Sequence, residues 1–93
     1  MNNSICIIYY SSDLCNMCKP IGMRLKAMLS IFEKVDFEER RITSSIYENE
    51  DGVLSAPTII VKVDGKEYIR KTGNVSIVKF EEEFKRLYDI VNG

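Results

Sequence analysis

Two segments in the first third of the chain differ in the spacing of their apolar residues. Residues 5–10 are apolar at every position, which predicts a strand at the centre of a sheet that is covered on both faces. Further on, five apolar residues recur at helical spacing: Ile21, Leu25, Met28, Leu29 and Phe32. Pro20 must lie near the start of this helix, because further inside it would remove a backbone hydrogen bond. The pattern therefore predicts a strand, a short turn and a helix.

The middle of the chain is more polar. Residues 35–42 form a charged segment in which Val35 and Phe37 alternate with Asp36 and Glu38, which predicts a strand at a sheet edge. A strand, helix and strand of this length predict a parallel pair joined by a right-handed crossover. Ser45 and Glu48 then match a capping box and Gly52 can end a helix, so a short helix is predicted there. The acidic residues 48–51 are interpreted as a loop or helix end.

The last third predicts a hairpin followed by a helix. Residues 58–63 are rich in β-branched side chains, and the two-residue turn Asp64-Gly65 returns the chain as residues 66–71. The implied register has three cross-strand pairs: Lys62–Glu67, Val61–Tyr68 and Ile60–Ile69. A closing helix is predicted over residues 75–91, with two i,i+4 ion pairs, Glu81–Lys85 and Glu82–Arg86.

The resulting order of elements is β-α-β-(α)-β-β-α, in which the parenthesis marks the short helix. This order predicts an α/β fold, an α+β sandwich whose four-stranded mixed sheet has helices on both faces. The chain has 93 residues, 45% of them apolar, which is enough for one small core. We therefore predict a single domain over residues 1–93.

Charge and hydropathy exclude several classes of function. Thirteen basic residues face fourteen acidic ones, and the net charge of −1 gives no reason to expect nucleic acid or an anionic membrane as partner. The longest apolar run has six residues, too few for a membrane span or a secretory signal. We therefore expect a cytoplasmic monomer, whose cysteines are not structural disulfides because that compartment is reducing.

The turn between the first strand and the first helix contains Cys15-Asn16-Met17-Cys18. Two thiols at this spacing, between a strand and a helix, are typical of a thiol–disulfide redox site. A thiol attacks as its thiolate, which the free N–H groups and positive dipole end of a helix N-terminus favour. Cys15 precedes the helix and is expected to be exposed, whereas Cys18 lies in the first turn. We predict that Cys15 attacks a disulfide and that Cys18 resolves the mixed disulfide.

Two other interpretations of the cysteine pair remain. Structural zinc usually needs four Cys or His ligands, and the chain has no histidine, so Cys15 and Cys18 would bind metal only between two chains or with carboxylate help. We predict no metal site. The domain is alternatively a redox-sensing or binding module whose dithiol oxidises without turning over substrates. The third cysteine, Cys6, lies in the apolar strand and is predicted to be buried core.

A further segment, Ser55-Ala56-Pro57-Thr58, places a proline directly before a strand. Four matches occur in order and spacing: Cys15-Asn16-Met17-Cys18-Lys19, Ala56-Pro57-Thr58, Asp64-Gly65 and Gly73. On these motifs the chain resembles the thioredoxin–glutaredoxin superfamily over nearly its whole length. The resemblance implies a thioredoxin-like fold, with a cis-proline at Pro57 against the two cysteines. It also implies that a substrate pairs in extended form with the backbone at Ala56, and that Gly73 lines the same groove.

Some family positions differ in this chain. Leu14 stands where thioredoxins usually carry Trp, and Tyr9 stands where they carry a buried Asp that relays protons. Ser12 replaces a Lys of glutaredoxins, and no Asp follows Gly73 where glutaredoxins have one. Glutaredoxin-type glutathione binding is therefore not implied by these positions.

From the residues and the resemblance together we predict a thiol–disulfide oxidoreductase. Its catalytic residues are Cys15 and Cys18, and its substrate-binding residues are Asn16, Met17, Ala56, Pro57, Thr58 and Gly73. The redox group is the Cys15–Cys18 disulfide itself, with no bound cofactor. The predicted substrates are disulfide-containing proteins or small molecules, and the predicted electron source is a recycling reductase or glutathione.

Overall fold

Four strands and two helices make up the described part of the chain, residues 4–42 and 49–93 of a computed structural model. In chain order they are β1 (Ile5–Ser11), α1 (Cys18–Leu29), β2 (Val35–Arg41), β3 (Thr58–Val63), β4 (Lys66–Thr72) and α2 (Ile77–Asn92). The sheet has the order β2-β1-β3-β4, with β2 parallel to β1 and the other pairs antiparallel. The predicted mixed sheet, with its central first strand and its charged edge strand, is confirmed.

The two faces of the sheet are covered differently. Both helices pack on the face that carries Ile7 and Tyr9, and the Phe32 ring after α1 meets Phe84 of α2 edge-on, with ring centroids 4.9 Å apart. The other face carries a smaller cluster that includes Val53, from the segment 49–54. The short helix predicted for the middle of the chain begins among residues 43–48, which lie outside the described residues. Residues 50–51 form a turn.

The β3–β4 hairpin contains a β-bulge between Val61 and Lys62 that the sequence pattern does not predict. The predicted Lys62–Glu67 pair is confirmed, but the other two are wrong: Val61 pairs with Ile69, and Ile60 pairs with Arg70. A one-residue slip moves every following side chain to the opposite face. Here the slip places Ile69 beside Val61 in the helix-covered core and leaves Tyr68 exposed.

Both helices are shorter at one end than the pattern predicts. α1 ends at Leu29, and Phe32 reaches the core from the turn that follows. α2 begins at Ile77, with Ser76 as N-cap. The two predicted ion pairs within α2, Glu81–Lys85 and Glu82–Arg86, are not formed among the described residues. Instead, Lys85 pairs with Asp89 within α2 at 3.2 Å, and Glu83 of α2 pairs with Lys71 of β4 at 2.7 Å.

Candidate redox site

Cys15 and Cys18 are joined by a disulfide where β1 leads into α1, with their Cα atoms 5.4 Å apart. Cys15 lies half-buried in the connecting turn, where its N–H donates to the Ser12 carbonyl at 3.1 Å. Cys18 is the first residue of α1 and is only 4% exposed. The two cysteines therefore differ in accessibility in the predicted sense, although Cys15 is half-buried and not exposed as predicted.

The start of α1 favours negative charge at the sulfurs. Its N-cap residue, Met17, offers no side-chain acceptor to the first N–H groups, and no acidic residue lies in the first turn. Pro20 is the third residue of the helix, as predicted, and has no N–H of its own. The positive end of the helix dipole therefore meets no competing carboxylate there, which favours a thiolate over a thiol.

The segment before β3 forms a wall opposite the cysteines. The peptide bond between Ala56 and Pro57 is cis, as the resemblance implies. The Pro57 carbonyl accepts the Gly73 N–H at 2.9 Å, and Gly73 has a φ of +87°, a conformation that favours glycine. Thr58 is buried, and its hydroxyl donates to the Ser55 carbonyl at 2.8 Å. Thr58 thus supports the wall from behind.

A groove of about 570 Å³ separates this wall from the cysteine turn. It brings together six of the predicted site residues: Cys15, Asn16, Met17, Ala56, Pro57 and Gly73. Thr58 is not among the groove-lining residues, and neither is Cys18. Within the described ranges, the backbone N–H and C=O of Ala56 have no hydrogen-bond partner in the protein.

Two exposed leucines complete the groove and were not predicted as site residues. Leu14, beside Cys15, is 86% exposed, and Leu54, before the wall, is 70% exposed. Leu14 was considered only as a replacement for the family's Trp. The sequence around Leu54 does not mark it as a site residue, because it stands beside the equally apolar Val53.

The wall is anchored by Asp51, three residues before Leu54. The side chain of Asp51 is 3% exposed, and its carboxylate contacts Lys62 at 2.6 Å and Arg40 at 3.2 Å. The Tyr10 hydroxyl donates to the same carboxylate at 2.6 Å. Asp51 is thus buried among partners on the second face of the sheet. Its interpretation as part of an acidic loop missed this role.

Opposing effects act on the Asp51 carboxyl. Burial acts to raise its pKa, whereas hydrogen bonds from Lys62 and Tyr10, together with the charges of Lys62 and Arg40, act to lower it. The net result is a pKa below the ordinary value, so Asp51 is an anion at neutral pH.

Tyr9 lies beneath the disulfide, at the position of the family's buried acid. It is 1% exposed, and its hydroxyl donates to the Cys18 carbonyl. Burial, and secondly the charge of Glu39, raise the pKa of Tyr9 to about 12. Tyr9 is therefore neutral at physiological pH and holds the first turn of α1 in place through a hydrogen bond.

Cys6 is a free thiol on the second face and is half-buried, so the prediction of a buried core position is only partly right. Burial, and then the charges of Asp36 and Glu38, raise the pKa of Cys6, which keeps it a neutral thiol. Among residues 4–42 and 49–93, no three His, Cys, Asp or Glu side chains are grouped to hold a metal ion. No helix in that part of the chain is long and apolar enough to cross a membrane.

The fold is shared with solved thioredoxins. Thioredoxin 1 from Thermosipho africanus TCF52B superposes with a TM-score of 0.81 and 26% identity, over 95% of this chain and 99% of that one. Thioredoxin O2 from Arabidopsis thaliana, in the oxidized state, gives 0.76 and 20% over 90% and 75% of the two chains. A thioredoxin-like protein from Bacillus cereus ATCC 10987 gives 0.73 and 15% over 90% and 88%. No protein-family model and no curated protein sequence matches this chain.

The sheet, the cysteine pair at the start of the first helix and the cis-proline wall define a fold of the thiol–disulfide oxidoreductase type. The solved structures share this fold. The match to Thermosipho africanus thioredoxin 1 places the chain in the thioredoxin-fold superfamily.

Proposed function

We propose that this protein is a thiol–disulfide oxidoreductase that reduces disulfides by dithiol exchange in the reducing cytoplasm. The observation that carries the proposal is the difference between its two sulfurs. Cys15 lines the groove, whereas Cys18 is buried in the first turn of α1. This arrangement suits an attacking thiolate and a protected resolving thiol.

The reaction has two exchange steps. In the first, the Cys15 thiolate attacks one sulfur of a substrate disulfide, and the other substrate sulfur leaves as a thiolate that takes up a proton. In the second, Cys18 loses its proton and attacks the Cys15 sulfur, which releases the remaining substrate thiolate. The substrate has then gained two electrons and two protons, and the protein carries the Cys15–Cys18 disulfide. A recycling reductase or glutathione restores the dithiol by the same exchange in reverse.

The groove offers a way to hold a polypeptide substrate. Ala56 lines the groove together with Cys15, and its N–H and C=O have no hydrogen-bond partner among residues 4–42 and 49–93. An extended chain can add to such groups as an extra strand, which positions its cystine against the nucleophile. We therefore assign substrate contacts to Asn16, Met17, Ala56, Pro57 and Gly73, with Thr58 supporting the wall.

A trapping experiment with an insulin-type substrate tests the assignment. Cys18→Ser should accumulate a mixed disulfide through Cys15, because the resolving thiol is missing, whereas Cys15→Ser should trap nothing and lose disulfide reduction. Mass spectrometry of the trapped peptide identifies the sulfur. A trapped Cys18 in the Cys15→Ser protein would reverse the roles. No reduction by the folded wild-type protein would instead favour the redox-sensing or binding module.

A further inference from the structure

A second cleft, of about 510 Å³, reaches the disulfide from the other side of the cysteine turn. Residues of α1 form one wall of this cleft, and residues near the ends of β1 and β2 form the other. The groove lies on the β3 side of β1, whereas the second cleft lies on the β2 side. Cys15 lines both cavities, and Cys18 lines the second cleft but not the groove. The disulfide therefore borders two separate cavities.

The two cavities differ in charge. None of the described residues that line the groove is charged. The second cleft is lined by three cations and two anions, which leave a formal charge of +1: Lys19, Lys26, Arg41, Asp13 and Glu39. A positive site beside the disulfide attracts anions and raises their local concentration. A negatively charged thiol therefore finds cationic partners in the second cleft, whereas the groove offers none among the described residues.

The cations of the second cleft are accessible to a ligand. Arg41 contacts Asp13 at 2.9 Å and Lys26 contacts Glu39 at 3.6 Å, and these four side chains are between 37% and 76% exposed. Exposed pairs of this kind are weak, so a carboxylate of a ligand can share or replace the acidic partner at little cost. Lys19, which directly follows Cys18, is also exposed. Three accessible cations therefore lie beside the disulfide on this side.

We propose that the second cleft admits the electron donor, and that this donor is a small thiol that carries carboxylates. The carboxylates bind Lys19, Lys26 and Arg41, and the thiol sulfur meets the disulfide from the β2 side. Oxidised substrates and the donor therefore reach the cysteines from opposite sides of the turn. The inference rests on the proposed function, because it concerns how the same disulfide is reduced again. Of the two electron sources proposed there, it favours the small thiol.

Two molecules of the donor supply the two electrons. The first thiolate attacks the sulfur of Cys15, the more accessible cysteine, and the disulfide bond breaks as Cys18 leaves as a thiolate and takes up a proton. A second donor thiolate attacks the donor sulfur of this mixed disulfide, and Cys15 leaves as a thiolate that takes up the second proton. The donor ends as its own disulfide, and the protein carries the dithiol.

The test measures how fast small thiols of different charge reduce the protein's own disulfide. Mercaptopropionate carries a carboxylate, mercaptoethanol is uncharged and cysteamine carries an ammonium group. Each rate is followed by alkylation and mass spectrometry, and is divided by the same thiol's rate with hydroxyethyl disulfide to remove differences in thiol reactivity. At low salt the corrected rate should be about tenfold higher for mercaptopropionate than for cysteamine, and high salt should shrink the difference. Equal corrected rates would overturn the inference.

Substitutions in the cleft should move this preference in opposite directions. Lys19→Gln/Lys26→Gln removes two cations and should reverse the preference, so that cysteamine becomes the faster donor. Glu39→Gln removes an anion, keeps an acceptor for the Ser11 hydroxyl and should strengthen the preference for mercaptopropionate several-fold. Lys85→Gln/Arg86→Gln on α2 is the matched control, because it removes the same charge from residues that do not line the cleft. If the control changes the preference as much as Lys19→Gln/Lys26→Gln does, the cleft does not select the donor.

The thiol series uses no substrate disulfide, which separates the inference from the proposed function. If the wild-type protein shows the charge preference but does not reduce an insulin-type substrate, the proposed function alone is overturned. If it reduces the insulin-type substrate and its disulfide accepts the three thiols at equal corrected rates, the inference alone is overturned.

Discussion

Replacing Asp51 by Asn tests what holds the groove wall in place. The substitution keeps the shape of the side chain but removes the negative charge between Lys62 and Arg40. Removing one partner of a buried ion pair costs about 3–5 kcal/mol, because the other charge is left uncompensated. The side chains of Lys62 and Arg40 are 21% and 29% exposed and so keep some contact with water, and Arg40 also keeps its ion pairs with Glu38 and Glu50. We therefore expect a loss of about 3 kcal/mol, the lower end of that range.

The assay is urea unfolding of the oxidised protein at pH 7. For a domain of this size, about 3 kcal/mol corresponds to a fall in Tm of roughly 12–24 °C, so a thermal melt gives an independent reading. Asp89→Asn is the matched control, because Asp89 pairs with Lys85 at 3.2 Å but its side chain is 61% exposed. That surface pair should contribute less than about 1 kcal/mol. An Asp51→Asn protein as stable as the control would refute the anchoring role.

The pH dependence of the stability difference between the wild type and Asp51→Asn tests whether the charge of Asp51 is responsible. The pKa of Asp51 is lower in the folded protein than its ordinary value of 3.8. A carboxyl with a lowered pKa contributes stability above its unfolded pKa and loses that contribution as pH falls through the folded value. The difference between the wild type and Asp51→Asn should therefore be full at pH 6 and shrink below pH 3.8. A difference that stayed constant down to pH 2 would show that the charge of Asp51 is not responsible.

Two further predictions concern the support beneath the disulfide. Tyr9→Phe removes the hydrogen bond to the Cys18 carbonyl and should cost about 1 kcal/mol at pH 8. Because the pKa of Tyr9 is raised from 10 to about 12, the wild-type advantage is complete below pH 10 and falls as the pH rises towards 12. At pH 11 the fall is about 1.4 kcal/mol, which exceeds the initial advantage, so urea unfolding should show Tyr9→Phe as the more stable protein there, and an unchanged advantage would contradict the burial argument. Gly22→Ala would place a Cβ 3.1 Å from the Tyr9 ring, which is fixed at both ends of its buried side chain. We expect a net loss of about 1 kcal/mol despite the better helix propensity of Ala, and a stabilised variant in the same assay would show that the ring yields.

Local patterns were sufficient to predict the elements that carry the cysteines. The apolar residues 5–10 predicted a central strand, and Pro20 marked the start of the helix that holds Cys18. Both patterns depend on residues only a few positions apart, so the packing of distant segments does not alter them. Two of the three predicted hairpin pairs are wrong, because the β-bulge at Val61 depends on which face of the sheet Ile69 must join. The helices packed on the sheet determine that face, and a two-residue turn motif contains no information about them.

Site residues are predictable from the sequence where their residue type and spacing are typical of one role. They are not predictable where the site forms between segments that are distant in the sequence. The cysteines and Pro57 were found from spacing and resemblance. Asp51 is predicted only as part of an acidic loop or helix end, because its partner Lys62 lies eleven residues away. Nothing in the sequence of β3 indicates that Lys62 forms a buried ion pair. Leu54 similarly has no local pattern. Leu54 becomes part of the site only because the wall lies opposite the cysteine turn in the folded protein.

Tyr9 shows where resemblance and physical reasoning diverge. The resemblance aligned Tyr9 with a buried acid that relays protons, a role that needs a group ionising near neutral pH. A tyrosine with a pKa of about 12 stays protonated near neutral pH, and its hydroxyl already donates to the Cys18 carbonyl. Tyr9 contacts the redox turn and does not titrate near neutral pH. In this chain Tyr9 therefore positions Cys18, and in the dithiol exchange proposed above the proton that Cys18 releases goes to the departing substrate thiolate.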